Sequence, residues 1–173
     1  MPAEPPDLDA PTILAILDRH HVDYVVVGGY AAQLHGSTRV TTDIDLTPDR
    51  TPANLARLAA ALRDLGGGIR VDDLDHGLSF DTSPEALAGT KTLNLRTAHG
   101  DIDLTFEPDG TDGYRDLIRN ADHHTIGTLH VYVAALADLI RSKTAAGRPK
   151  DLRALPELIQ IQQAFDTNPT ERR

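Results

Sequence analysis

Residues 24–46 decide the fold: Tyr24-Val-Val-Val27-Gly28-Gly29-Tyr30-Ala-Ala-Gln-Leu-His35-Gly36-Ser37-Thr38-Arg39-Val-Thr-Thr42-Asp43-Ile44-Asp45-Leu46. A β-branched run closed by two glycines reads as a buried strand that stops abruptly. Tyr30 to His35 reads as a short helix and Gly36 to Thr42 as a polar loop. Asp43 to Thr47 then alternates polar and apolar residues with a period of two, the pattern of a strand with one buried face. Side chains two apart on a strand share a face, so Asp43 and Asp45 present their carboxylates together, about 7 Å apart along the backbone. Two such charges repel unless a cation lies between them, and hard oxygen donors favour Mg2+ or Mn2+.

Working outward, Asp101-Ile102-Asp103-Leu104 repeats the alternation and predicts another strand of the same sheet, which brings a third carboxylate to the cluster if it neighbours the first. Three carboxylates can bind two divalent ions about 3.5–4 Å apart, one activating a hydroxyl and one neutralising a triphosphate as pyrophosphate leaves. Asp103 is preferred to Asp101, which follows Gly100 and reads as part of a turn. An Asp-x-Asp alone is common, and charged alternation on a strand is usually a solvated face. The metal reading gains because Asp43 follows Gly29 by fourteen positions, through a short helix and a polar loop.

Gly28 and Gly29 sit where backbone N–H groups can meet phosphate oxygens with no side chain in the way, although a tight strand-to-helix turn explains them equally. Ser37, Thr38 and Arg39 could add donors to a triphosphate or be ordinary loop surface. Between Leu139 and Arg153 five basic residues (Arg141, Lys143, Arg148, Lys150 and Arg153) face one acid, Asp151. Lys143 suits a β- or γ-phosphate contact as a compact charge on a flexible stem. The alternative is a solvated basic helix end complementing its dipole.

The chain has 173 residues, 40% hydrophobic and 25% charged, which predicts one domain over 10–166. Its core spans 10–133 and its C-terminal helices 134–166, between a Pro-rich acidic mobile tail, 1–9, and a second tail, 167–173. Helices are expected from about Ala10 to His21, Ala53 to Leu65, Ala134 to Ala146 and Pro149 to Phe165. Further strands are expected at Ile69 to Asp72, Lys91 to Thr97, Asp101 to Glu107 and Leu129 to Val133. With no Cys there are no disulfides, thiolate zinc sites or cysteine nucleophiles. An aromatic content of 4% argues against stacking platforms for single strands. Seventeen Lys and Arg against 26 Asp and Glu give a net charge of −9, so any nucleic-acid contact must be local. The N-terminus lacks signal-peptide character and no apolar run suits a membrane span, which leaves the cytoplasm as the expected location. The adjacent pairs His20-His21 and His123-His124 are poor metal sites, while His35 lies near the proposed site.

Gly28-Gly29, Asp43-Ile44-Asp45-Leu46 and the later Asp103 together resemble the polymerase-β-like nucleotidyltransferase superfamily. More narrowly, Gly28 to Arg39, Thr42 to Leu46, Ser142-Lys143 and Gly147-Arg-Pro-Lys-Asp151-Leu, in that order, resemble the AbiEii/MenT-type proteins of bacterial toxin–antitoxin systems. The resemblance covers about residues 10–165. It implies a minimal α/β fold, a short mixed sheet flanked by helices with C-terminal helices closing a nucleotide cleft. It further implies Asp43 and Asp45 as metal ligands, Asp103 as third carboxylate and base, and Lys143 with Asp151 as a C-terminal nucleotide site. The implied activity is Mg2+- or Mn2+-dependent transfer of a nucleotide from a nucleoside triphosphate such as ATP to an acceptor hydroxyl. The acceptor implied is the tRNA 3′ end, which makes the chain a toxin with a cognate antitoxin partner. A hydroxyl on a partner protein is the alternative acceptor, and a binding module without turnover the non-enzymatic one. Gly29 stands where the superfamily often has Ser, and the larger C-terminal domain of longer relatives is lacking.

Overall fold

The computed structural model describes residues 4–168. Ile13, Leu14 and Leu17 recur at helical spacing and bury one face of α1 (Ala10–Arg19). Asp9 caps this helix, accepting hydrogen bonds from the Thr12 amide at 3.2 Å and the Thr12 hydroxyl at 2.6 Å. The Asp9 amide donates to the His99 carbonyl at 2.8 Å and Leu8 packs against the core, so the expected mobile tail is tied down at its last two residues. The remainder of that tail before residue 4, and the second tail beyond residue 168, lie outside the described residues.

The Val run forms β1 (Tyr24–Val27) and passes directly into α2 (Gly28–Leu34); the aspartate stretch forms β2 (Asp43–Pro48). Pro52 at the first turn starts α3 (Pro52–Asp64), which ends before Gly66 in a left-handed conformation. Next come β3 (Gly68–Ile69), α4 (Pro84–Ala88), β4 (Thr92–Thr97), β5 (Gly100–Thr105) and α5 (Tyr114–Leu117). The chain closes with β6 (Asp122–Ile126), β7 (Leu129–Val133), α6 (Leu136–Ala146) and α7 (Pro149–Thr167). Three of these, α4, α5 and β6, go beyond the sequence reading. The strand expected at 69–72 is shortened to Gly68–Ile69.

Seven strands form one mixed sheet in the order β3-β4-β5-β2-β1-β7-β6. Pairing is parallel between β2 and β5 and between β1 and β7, and antiparallel elsewhere. Ile44, Leu46, Ile102, Leu104 and Leu95 turn to one face and are essentially fully buried with Leu58 and Leu62 of α3 and Leu14 of α1. Each such side chain contributes roughly 1.5–3 kcal/mol on burial. The acids of β2 and β5 are thereby committed to the opposite face, because side chains alternate along both strands. Among the described residues, no helix is long and apolar enough to cross a membrane.

Candidate active site

Sheet register gathers the acids. Asp43 pairs with Asp101 and Asp45 with Asp103 across the parallel β2–β5 ladder, so four carboxylates occupy two adjacent rows of one face. The first row continues from Asp101 to Arg96 on β4, and the second from Asp103 to Asn94. Beyond Asn94 lies Arg70, whose amide donates to the Asn94 carbonyl at 2.9 Å. Thus the polar positions of β4, Asn94 and Arg96, share the acid face, which the alternation of Thr92 to Thr97 signals in the sequence itself.

Asp101 is not free. Arg96 grips it through Nε at 3.1 Å and Nη2 at 3.3 Å, and Arg70 Nη1 reaches its Oδ2 at 3.3 Å. Asp101 is a buried strand residue rather than part of the turn expected from Gly100. Arg70 Nη2 also lies 3.0 Å from Asp103 Oδ1, yet that buried oxygen has no hydrogen-bond partner, so the contact is ionic and poorly aligned. Burial raises the Asp103 pKa and the Arg70 charge opposes the rise. Asp45 is pushed up to about 7, first by burial and then by the charges of Asp43 and Asp103, with Lys143 and Lys150 opposing. Thr41 donates to Asp43 Oδ1 at 2.9 Å and fixes that carboxylate.

Gly28 is required where it stands. Its φ is +66°, and a Cβ there would overlap the Asp45 carboxylate, with Cβ of Asp45 only 2.8 Å away. A Cβ on Gly29 would meet the Thr41 hydroxyl at 3.2 Å, a milder contact.

A cleft of about 600 Å³ opens beside these rows. Of the expected site residues Gly28 and Asp45 form part of its wall, whereas Gly29, Asp43 and Asp103 do not line it; Lys143, Arg148 and Asp151 face from α6 and the start of α7, and Lys91 contributes from the loop before β4. Asp151 is 2% exposed, accepts from Arg148 Nε at 2.6 Å and pairs with Lys143 Nζ at 3.6 Å. Burial works to raise its pKa, but the Arg148 hydrogen bond and charge prevail and hold it low. Lys143 and Asp151, expected together in a C-terminal nucleotide site, form an ion pair at the cleft wall. Arg148, unassigned from the sequence, completes it, and the helical spacing of three to Asp151 is its signal.

Two expectations need correction. Ser37 and Arg39, suggested as triphosphate donors, do not line the cleft. They face α7, where the Glu157 carboxylate accepts from the Ser37 hydroxyl and from the Thr38 amide and hydroxyl, each at 2.8 Å. Arg39 Nη2 donates to the Arg153 carbonyl at 3.1 Å and Nε lies 4.0 Å from Glu157. Short polar side chains followed by an arginine make a good anion cradle, and a carboxylate of the same chain fills it. His35 is buried: its Nε2 lies 2.8 Å from the Ala134 carbonyl and its ring meets that of His124 edge-on, so it joins helix to sheet rather than facing a ligand.

Hard oxygen donors suit a divalent cation, and Asp43 and Asp45 offer two on one strand face, with mutual repulsion that such an ion would relieve. Among the described residues no group of three acidic or histidine side chains converges closely enough to hold a metal ion. Asp103, the expected third ligand, is turned to Arg70.

Solved structures share this arrangement of sheet and helices. A Thermotoga maritima protein (TM1012), provisionally described as a nucleotidyltransferase, superposes with a TM-score of 0.55 at 14% identity, covering 87% of this chain and 89% of that one. The antibiotic-resistance factor ANT(2'')-Ia superposes with a TM-score of 0.50 at 19% identity, over 91% of this chain and 89% of that one. Both likenesses concern the fold, which is the polymerase-β-like nucleotidyltransferase fold. No curated protein is significantly similar in sequence. From residue 7 to residue 166 the chain matches the family model described as "Nucleotidyltransferase of unknown function (DUF6036)", and it belongs to that nucleotidyltransferase family.

Proposed function

We propose that the protein transfers a nucleoside monophosphate from a nucleoside triphosphate to an acceptor hydroxyl, with the triphosphate lying in the cleft between Asp45 and Lys143. The observation that carries this reading is that Asp45, the cleft-lining member of the carboxylate cluster on β2 and β5, meets a cationic wall on α6 and the start of α7 across one cavity. A divalent ion, Mg2+ or Mn2+, held by Asp43 and Asp45 would supply charge compensation and polarisation at the α-phosphate. Lys143 and Arg148 neutralise the outer phosphates. Asp103 accepts the proton of the acceptor hydroxyl as its oxygen bonds to the α-phosphorus and the bond to pyrophosphate breaks.

For the acceptor we propose the 3′-terminal hydroxyl of a tRNA. Support comes from the exposed Lys150 and Arg153 beside the cleft wall, which give an overall acidic chain a local cationic approach for a phosphate backbone. The motif order quoted for the AbiEii/MenT-type resemblance adds to it. Capping tRNA would arrest growth, so this reading includes a toxin role and a cognate antitoxin protein. A second reading is favoured by a separate observation: Glu107, Asp109 and Asp138 also line the cleft, an acidic rim suited to a small cationic polyhydroxylated acceptor.

Incubation with each α-labelled triphosphate, Mn2+ or Mg2+, and either total tRNA or a cationic aminosugar tests both. Label on RNA with an intact 3′ end, lost in Asp45→Asn and in 3′-oxidised tRNA, is the expected result. Label on the aminosugar alone supports the second reading, and label on a co-purified protein supports a protein hydroxyl instead. No transfer under conditions where the triphosphate binds refutes the enzyme reading.

A further inference from the structure

Arg70 was not singled out by any motif, yet it is the residue that distinguishes Asp103 from Asp43 and Asp45. The sheet rows explain how it gets there. Asp45, Asp103 and Asn94 are consecutive in one row, and Arg70 follows Asn94 just past the end of β3, three strands from Asp45. Its side chain spans β4 and divides its guanidinium between two acids, Nη1 at 3.3 Å from Asp101 and Nη2 at 3.0 Å from Asp103. Asp101 is in turn clamped by Arg96, itself 6% exposed. A chain of alternating charge, Arg96–Asp101–Arg70–Asp103, therefore fixes the guanidinium from behind. A planar cation shared between two acids in this way is held in place more firmly than a lysine would be.

We propose that Arg70 is the positioning residue of Asp103 and takes the place of a second divalent ion: its charge compensates this carboxylate and draws it toward β3, leaving Asp43 and Asp45 to hold a single metal. The inference rests on the proposed nucleotidyl transfer and names how the third carboxylate of that site is governed. Asp103 then serves as an oriented proton acceptor rather than as a bridging ligand. A fixed guanidinium beside the trio also repels an incoming divalent ion, so its removal must strengthen metal binding, whereas structural damage would weaken it.

Mn2+ binding, followed by loss of the free-ion electron paramagnetic resonance signal, tests this without turnover. With a non-hydrolysable triphosphate the parent protein is expected to bind one ion at the trio; two ions there overturn the proposal. Arg70→Met and Arg70→Gln are expected to bind Mn2+ about tenfold more tightly or to take up a second ion, with Arg70→Lys intermediate, since a charge within a few ångströms of a partly screened site changes affinity on this scale. Unchanged or weaker binding in a variant whose circular dichroism matches the parent also overturns it. In transfer assays Arg70→Gln is expected to lower kcat with little change in KM and to move the pH profile, with recovery in Arg70→Lys. Absence of Mn2+ binding in the parent itself would refute the metal-dependent function, a failure distinct from that of Arg70.

Discussion

Asp45→Asn is expected to stabilise the protein in the absence of metal, increasingly as pH rises from about 4 to 7. The carboxyl is moved from its ordinary 3.8 to about 7 by burial and by Asp43 and Asp103. Between those values the folded chain holds a proton that the unfolded chain has released, so stability falls as pH rises through roughly pH 4 to 7. Three units at 1.36 kcal/mol each set an upper bound of about 4 kcal/mol. Asp45 borders a cleft open to water, which reduces the usable figure to about 1–3 kcal/mol. Asparagine keeps the shape that Gly28 accommodates and removes the charge. For a chain of this size the melting temperature is expected to rise about 3–8 °C at pH 8 and by less than half as much at pH 5. Scanning calorimetry with EDTA at both pH values measures it, and Mn2+ is expected to raise the parent's transition at pH 8 but not the variant's. A variant that melts at or below the parent at pH 8, or gains equally at pH 5, refutes the account of charge crowding at this site.

Gly28→Ala forces a Cβ onto the Asp45 carboxylate at a φ of +66°, and a loss of about 2 kcal/mol or more is expected in urea titrations, with a smaller loss for Gly29→Ala, where Thr41 need shift only a few tenths of an ångström. Glu157→Ala removes the acceptor shared by Ser37 and Thr38, and amide hydrogen exchange over residues 37–42 is expected to accelerate while α7 beyond Leu158 keeps its protection. Asp151→Asn leaves Lys143 and Arg148 facing a neutral amide, at an expected cost of about 1–3 kcal/mol by urea denaturation at pH 7. Because the folded-state pKa of Asp151 is depressed, that stabilisation is present above the ordinary carboxyl range and fades as pH falls through it, so the difference between parent and variant is expected to shrink in acid.

Six of the seven strands were legible because their apolar residues alternate or cluster, from Val25–Val27 to Ile102 and Leu104. The edge strand β6, Asp-His-His-Thr-Ile, carries no such pattern: it is half solvated and exists by pairing with β7 across a turn at Gly127. The acids themselves were legible from spacing two within each strand. Their meeting was not, since it depends on a parallel register between segments 58 residues apart, which no local pattern encodes. Arg70 was hidden for the same reason. In sequence it is an arginine after Gly-Gly-Ile; only the ordering β3-β4-β5-β2 makes it a neighbour of Asp103. Ser37 and Arg39 failed in the opposite sense. Their donor chemistry was read correctly, but the acceptor is Glu157, 120 residues from Ser37.

Arg70, Arg141, Lys143 and Arg148 are engaged before any ligand arrives, and this constrains how a triphosphate can be held. Arg70 serves Asp101 and Asp103, Arg141 serves Asp116 and Asp138, and Lys143 and Arg148 share Asp151. Were phosphates to strip Lys143 and Arg148 from Asp151, a carboxylate only 2% exposed would be left without counter-charge, at a cost that one phosphate contact does not offset. An ammonium carries three donors and a guanidinium five, so both cations can bridge the buried carboxylate and a phosphate at once. Asp151 then acts through them, fixing where the outer phosphates sit relative to Asp45 without touching the nucleotide itself. The net charge of −9 is compatible with an anionic substrate on these terms, because the attraction is confined to a few cations whose positions the surrounding acids enforce.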